Sequence, residues 1–314
     1  MRLFVLTFFV ASAATASCEH APPNRTDPNA LPGPPPAPIP VRAQATRADS
    51  PPSLSVLLAA AASYLDRYEQ TFSAVVAEEQ YAQTIKGPSD TALFSAEPTR
   101  RDLRSDVMVL NLGASQWVEF RDVYAVDNSP LPDHEGRLQK LFQTASPDTM
   151  SVAERYANES ARYNIGVSRT INVPTMALAY LSRQNQPRSA FELAGSEGIR
   201  GVFTRVVKFR ETATPSLVEA AGYAVSVSGR FWIEPVSGSV LRTELTCVVL
   251  SPRKLTGTTT VEYSVAPTVK LLVPVQMDEE YHSGGQVNRG HATYANFRAF
   301  TVSSKIIKRA GARQ

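Results

Sequence analysis

The chain has 314 residues, 43% of them hydrophobic, with 23 prolines, two cysteines and a formal net charge of +3. Its basic residues are scattered and form no stripe of the kind a phosphate backbone requires, which excludes nucleic acid as a partner. Two cysteines, Cys18 and Cys247, exclude a disulfide framework and leave no C-x-x-C spacing for zinc or redox chemistry.

Residues 1–17 read as a signal peptide. Met1-Arg2 supplies a positive start, Leu3 to Val10 a short apolar run and Ala11 to Ser17 small residues, and the run is too short for a membrane span, which takes about 20 residues. Two processing routes stay open: cleavage at the small-x-small site Ala14-Thr15-Ala16, or lipid attachment at Cys18 within the lipoprotein-like box Thr15-Ala16-Ser17-Cys18. A lipid there is the one membrane attachment expected. Residues 18–52, with Pro34-Pro35-Pro36 and few large apolar side chains, form a disordered linker with polyproline II character.

About 260 residues remain from Ser53 onward, enough for a single domain over 53–314. Leu54, Leu57, Leu58, Ala61, Leu65 and Tyr68 recur at helical spacing and predict an amphipathic helix. In the strand predicted from Val75 to Tyr81, Val75, Ala77 and Tyr81 share one side, with Glu78 and Gln80 on the other. Leu103 to Leu112 and Trp117 to Asp127 read as a hairpin.

A helical insert is expected over about 133–183. It comprises a stripe at Leu138, Leu141 and Phe142, a helix opened by the capping box Ser151/Glu154 and running towards Arg162, and a helix starting at Pro174. Alternating segments then predict strands at 203–210, 223–233, 240–250, 259–265, 269–275 and 291–302. In the third of these Leu241, Leu245, Cys247 and Val249 face one way and Arg242, Glu244 and Thr246 the other. The predicted class is α+β: a curved, half-barrel-like antiparallel sheet whose dry face is covered by helices.

Chemical motifs are sparse. The histidines are His20 in the linker, His134 between Asp133 and Glu135, and His282 and His291 flanking Gly284-Gly285, none with the i, i+4 companion of a helical zinc site. Neither a G-x-S-x-G elbow nor a phosphate-binding glycine loop occurs, and no metal or cofactor is expected. The carboxylate clusters Glu78-Glu79, Asp278-Glu279-Glu280 and Arg121-Asp122 read as strand-edge charges. A hydrolase would have to use His134, or the His282 and His291 pair, with nearby carboxylates.

One stretch, Glu159 to Gly166 followed by Arg169 to Pro174, is denser in polar side chains than its neighbours. Asn164 with Gly166 reads as a helix stop and Asn172 as a cap, with Arg162 and Arg169 near helix ends, where they could hold carbonyls or an anionic ligand. Arg121 and Asp122 are candidate partners for these arginines, giving a structural or ligand-binding polar cluster of Arg121, Asp122, Arg162, Asn164, Arg169 and Asn172.

The run Arg230-Phe231-Trp232-Ile233-Glu234-Pro235-Val236-Ser237-Gly238-Ser239-Val240-Leu241-Arg242 resembles the strand, turn, strand unit of envelope lipoprotein carriers of the LolA/LolB-like type. So do Val269 to Pro274 and Tyr294 to Arg298. That resemblance implies a half-open barrel closed by helices and a capacity to hold an acyl chain, and it transfers no functional residue. FRDV at 120–123, ARYNIG at 161–166 and INVPT at 171–175 resemble exported soil-bacterial proteins of unknown function. The expectation is an exported, non-enzymatic envelope module holding a lipid or another hydrophobic ligand in an apolar cavity enclosed by the sheet and its helices. The alternative is a structural or protein-interaction domain displayed on a stalk, with an envelope protein as partner.

Overall fold

The computed structural model describes residues 4–6, 52–72, 75–87, 100–113, 116–132, 158–167, 169–220, 223–250, 254–268 and 271–299. Contacts group Met1–Phe8 with Pro52–Gln314 in one unit and Phe9–Pro51 in another. Cys18, His20, the linker, His134, the 138–142 stripe and the Ser151/Glu154 capping box lie outside the described residues.

Eleven strands form one antiparallel sheet that curls without closing. In chain order they are β2 (Val75–Lys86), β3 (Arg100–Gly113), β4 (Gln116–Val126), β5 (Ser129–Pro130), β6 (Ser189–Ile199), β7 (Val202–Glu211), β9 (Val225–Ile233), β10 (Val240–Val249), β11 (Leu255–Ala266), β12 (Leu271–Ser283) and β13 (Gln286–Ala299). Across the sheet they run β5-β4-β3-β2-β13-β12-β11-β10-β9-β7-β6. A separate two-stranded pairing joins β1 (Phe4–Leu6) to β8 (Val218–Ala220). The first and last long strands of the sequence, β2 and β13, lie side by side in its middle, so each half of the sheet is a chain of local hairpins built outward from that seam.

The helix-covered α+β class is corrected by this arrangement. Among the described residues one α-helix, α1 (Leu54–Phe72), stands against eleven strands. The segment starting at Pro174 forms a six-residue 3-10 helix, Met176–Leu181, and of the helix expected to run towards Arg162 the described residues 158–161 are helical. Between them lies irregular chain in which Ile165, Val167, Thr170, Ile171 and Val173 carry β-branched side chains that lose χ1 freedom in a helix. The sheet holds more strands than expected because β5 and β6 were not foreseen, and β12 is longer, continuing through Met277 to Ser283.

Side chains alternate between the face that carries α1, the inner face, and an outer face in solvent. One inner row crosses nine strands as Arg101, Gln83, Gly290, Glu279, Thr259, Leu245, Gly229, Phe209 and Phe191. This row exposes the division of the inner face. Towards β7, β9 and β10 it is apolar: Val207, Phe209, Val227, Phe231, Leu245, Cys247 and Val249 pack with Leu57, Ala61, Tyr64, Leu65 and Tyr68 of α1 and with the 3-10 helix. Tyr180, Phe209 and Phe231 stack in series with ring centroids 4.8 Å apart at each step. Each fully buried leucine of α1 contributes about 1.5–3 kcal/mol to holding the helix down. Towards β2, β12 and β13 the same face is polar and buried.

On strand 240–249 the structure amends one orientation. A bulge between Val240 and Arg242 turns Leu241 to the outer side, where it packs with Ile199, Val206 and Trp232. The tip of the β6–β7 hairpin folds over that spot. Trp232 donates to Glu197 at 2.6 Å, and Arg242 bridges Glu197 (3.0 Å) and Glu262 (2.8 Å) while lying over the Trp232 ring.

Candidate functional site: a buried ion-pair lattice under an irregular roof

Residues 162–167 and 169–175 cross the polar half of the inner face as non-helical chain. Buried backbone N–H and C=O groups must be paired, and a helix would have paired its own. Here the sheet supplies the partners from its side chains. Arg101 and Gln83 donate to the Tyr163 carbonyl (3.1 and 3.4 Å), Asn288 to that of Ile165 (3.0 Å), Arg121 to that of Asn172 (3.0 Å) and Tyr263 to that of Pro174 (2.5 Å). In return the Ile165 N–H donates to Gln83 Oε1 at 3.2 Å, and the Arg121 N–H donates to Ser160 Oγ at 2.9 Å.

Two arginine–glutamate pairs lie within this lattice. Arg121 grips Glu79 with both Nε (2.5 Å) and Nη2 (2.9 Å) and lies 4.8 Å from the Tyr81 ring centroid. Arg169, which comes from the roof, donates to Glu279 from Nη2 (2.5 Å) and Nε (3.2 Å), to Gln83 (3.1 Å), to the Tyr81 hydroxyl (2.8 Å) and to the carbonyls of Ile165 (3.2 Å) and Val167 (2.8 Å), and it lies over Tyr281. Tyr81 couples the pairs: it donates to Glu279 and accepts from Asn172 at 3.2 Å. The four charged side chains are at most 2% exposed. For both guanidiniums burial pulls the pKa down, yet the facing carboxylate outweighs it and each stands above the ordinary arginine value. Burial likewise holds the Tyr81 and Tyr281 hydroxyls well above the usual tyrosine range. Both guanidiniums therefore keep their charge.

Two glycines make the fit possible. A Cβ on Gly290 would come within 2.4 Å of Glu279 Oε1, and one on Gly166 within 1.8 Å of the Asn288 amide, where φ is also +69°. The bare backbone at these positions leaves the room that Glu279 and Asn288 occupy.

The polar residues expected from the sequence fall into three groups. Arg121, Asn164, Arg169 and Asn172 are brought together, with Asn164 and Asn172 joined by reciprocal amide hydrogen bonds of 3.3 and 3.1 Å. Asn172 caps no helix, since Thr175 takes the position before the 3-10 turn. Arg162 stays outside the lattice: it is exposed, pairs with Glu159 at 2.9 Å and lies over its neighbour Tyr163. Asp122 is buried but sits beside Arg121 in sequence on β4, with its cross-strand neighbour Asp106. Glu79 and Glu279, expected from the sequence as strand-edge charges, are instead buried in mid-strand and paired; Tyr81, Gln83 and Tyr281 were not singled out, and all five belong to strands. Their signal was available in the alternation: Glu79 has the parity of Val75, Ala77 and Tyr81, and Glu279 that of Met277 and Tyr281.

Elsewhere the acid–base candidates disperse. His282 pairs with Glu280 (2.5 Å) and His291 with Asp278 (2.7 Å), each ring about half exposed on the outer face and each on its own carboxylate. Hydrogen bonds from His282 and Arg289 hold the Glu280 carboxyl below the ordinary glutamate range. Two shallow polar depressions adjoin these residues, of about 670 and 420 Å³, sharing Ala82, Arg100 and His291. Among the described residues no group of three or more His, Cys, Asp or Glu could hold a metal ion, and no helix is long and apolar enough to cross a membrane. Cys247 is a buried free thiol whose pKa is pushed up to about 12 by burial.

No family model and no curated protein matches the chain. Solved structures do. A protein described as an outer membrane lipoprotein-sorting domain from Vibrio parahaemolyticus is 12% identical, with a TM-score of 0.34, over 77% of this chain and 91% of its own. A DUF1329 family protein from Desulfovibrio piger is 9% identical, also at 0.34, over 77% and 92%. Lipoprotein LppX from Mycobacterium tuberculosis is 14% identical, at 0.25, over 78% and 96%.

Proposed function

We propose that the chain is a non-catalytic binding module of the cell envelope that receives an acyl chain or another extended hydrophobic group on the apolar half of the inner face. The observation that carries this reading is the split of that face. Its polar half is bound to the roof by charge-assisted hydrogen bonds, whereas its apolar half is covered by one amphipathic helix held chiefly by side-chain burial. Among the described residues the polar ties of α1 include Arg183 to Asp66 (3.0 Å) and Ser63 (2.6 Å), and Gln186 to the Leu58 carbonyl (3.0 Å). An apolar ligand replaces such a cover at little cost, because it offers the sheet the same kind of surface. The core side chains on both sides are at most 8% exposed, so entry requires α1 to lift.

Native mass spectrometry after mild purification is expected to show a lipid adduct, and a fluorescent fatty acid should be taken up by the delipidated protein. A clean unliganded mass together with no uptake would overturn the reading. That close packing favours a second one, a filled domain displayed by its linker for a protein partner. Such a domain would give the unliganded mass and bind no fatty acid.

A further inference from the structure

The two ends of the sheet differ. At one end β5 is two residues long and closes on Pro130, which has no N–H to offer. At the other, β6 runs for eleven residues, carries one bulge between Leu193 and Gly195, and among the described residues pairs with β7 alone. Edge strands of this length are normally blunted by proline, lysine, an inward charge or a covering element. β6 has neither proline nor lysine, and every residue from Glu192 to Gly198 is exposed. Among the described residues nothing lies within 4 Å of where a Cβ on Gly195 or Gly198 would stand, so both faces of the strand are open there.

We infer that the free edge of β6 is a docking site for an extended segment of a partner protein with alternating basic and apolar residues, which adds to the sheet as a twelfth strand. The alternation follows from the two sides of β6. On the inner side Leu193 is 37% exposed beside the half-buried Phe191, and Phe203 at the hairpin tip is 55% exposed, a small apolar shelf for every second side chain of an added strand. On the outer side β6 carries Glu192 and Glu197 and no basic residue; their side chains are 70% and 46% exposed, so each has room for a second cation beyond Lys208 and Arg242. A strand with lysine or arginine facing these carboxylates gains cross-strand charge pairs, and one with acidic residues is repelled.

The probe is an eight-residue peptide alternating lysine and valine, added to the full chain. Its controls are the same peptide with glutamate for lysine and one with its central valine replaced by proline. Fluorescence anisotropy should show binding of the first alone, and hydrogen exchange should show new protection confined to Ser189–Ile199. Glu192→Lys, at an exposed position that leaves the fold intact by circular dichroism, should weaken binding about tenfold or more. Equal binding of the proline peptide, binding indifferent to Glu192→Lys, or protection elsewhere would each reject the inference. So would a peptide-free dimer that protects β6, which makes the occupant a second copy. Protection of β6 in the free monomer that vanishes when residues 300–314 are removed would do the same, by assigning the edge to the chain's own end.

Discussion

Arg169 is the side chain on which the roof depends most, and Arg169→Met tests that directly. Methionine keeps the length and apolar character of the side chain while deleting six donations: two to Glu279 and one each to Gln83, Tyr81 and the carbonyls of Ile165 and Val167. What remains is a glutamate with its charge buried and its cation gone. Breaking a buried pair in this way costs about 3–5 kcal/mol, a large share of the about 5–15 kcal/mol by which domains are stable. Adding Glu279→Gln removes the orphaned charge, so the double variant should regain at least about 2 kcal/mol over the sum of the single losses. Urea unfolding followed by circular dichroism measures the stabilities, and hydrogen exchange over 160–175 reports whether the roof loosens first. A single-variant loss below about 1 kcal/mol, or strict additivity in the cycle, would refute the claim that this pair fastens the roof.

Three further outcomes follow from individual residues. Gly290→Ala puts a methyl against Glu279 and should cost about 1–3 kcal/mol, whereas Gly198→Ala, with open space around it, should leave the urea midpoint unchanged. In a Cys18→Ser background Cys247 should resist thiol reagents at pH 8, because burial raises its pKa to about 12, and should react only on unfolding; fast labelling of the native protein would contradict the packing of β10. The Glu197 carboxyl is held below the ordinary glutamate range, chiefly by the Trp232 indole N–H and then by Arg242. A carboxyl with a depressed folded-state pKa binds fewer protons folded than unfolded. Its contribution is therefore present above the ordinary value of about 4.3 and is lost as pH falls through the depressed one. In a Trp117→Phe background Trp232 fluorescence should change over that acid range, and Glu197→Gln should flatten the change.

Strands and α1 could be read from alternation and helical spacing because each has one dry side, and burial writes itself into such patterns. β6 could not: Gly195, Ser196, Glu197 and Gly198 carry weak strand propensity, and the strand forms because β7 offers a ladder. The described part of the helical insert, from Asn164 to Pro174, differs from expectation for the opposite reason. Asn164, Gly166 and Pro174 were read as helix boundaries, while they belong to a chain that makes no helix between them and takes its hydrogen bonds from the sheet. Arg169 and Asn172 stood out as a polar excess, but their partners are 110 and 91 residues away in sequence, at Glu279 and Tyr81. A polar residue at a dry parity, such as Glu79, marks a site only when its long-range partner is known. Leu241 and Trp232 show the same limit, since a bulge reverses the side that alternation assigns to Leu241 and a folded-over hairpin buries Trp232 on the outer face.

Photolabelling with a fatty acid that carries a diazirine near its tail, followed by peptide mapping, puts the proposed use of the inner face to the test. Crosslinks should concentrate on α1 and on the inward residues of β9 and β10, and should be competed away by unlabelled fatty acid. Labelling that is absent, uncompeted or confined to the outer face would mean that the helix covers a solid core and that no hydrocarbon enters beneath it.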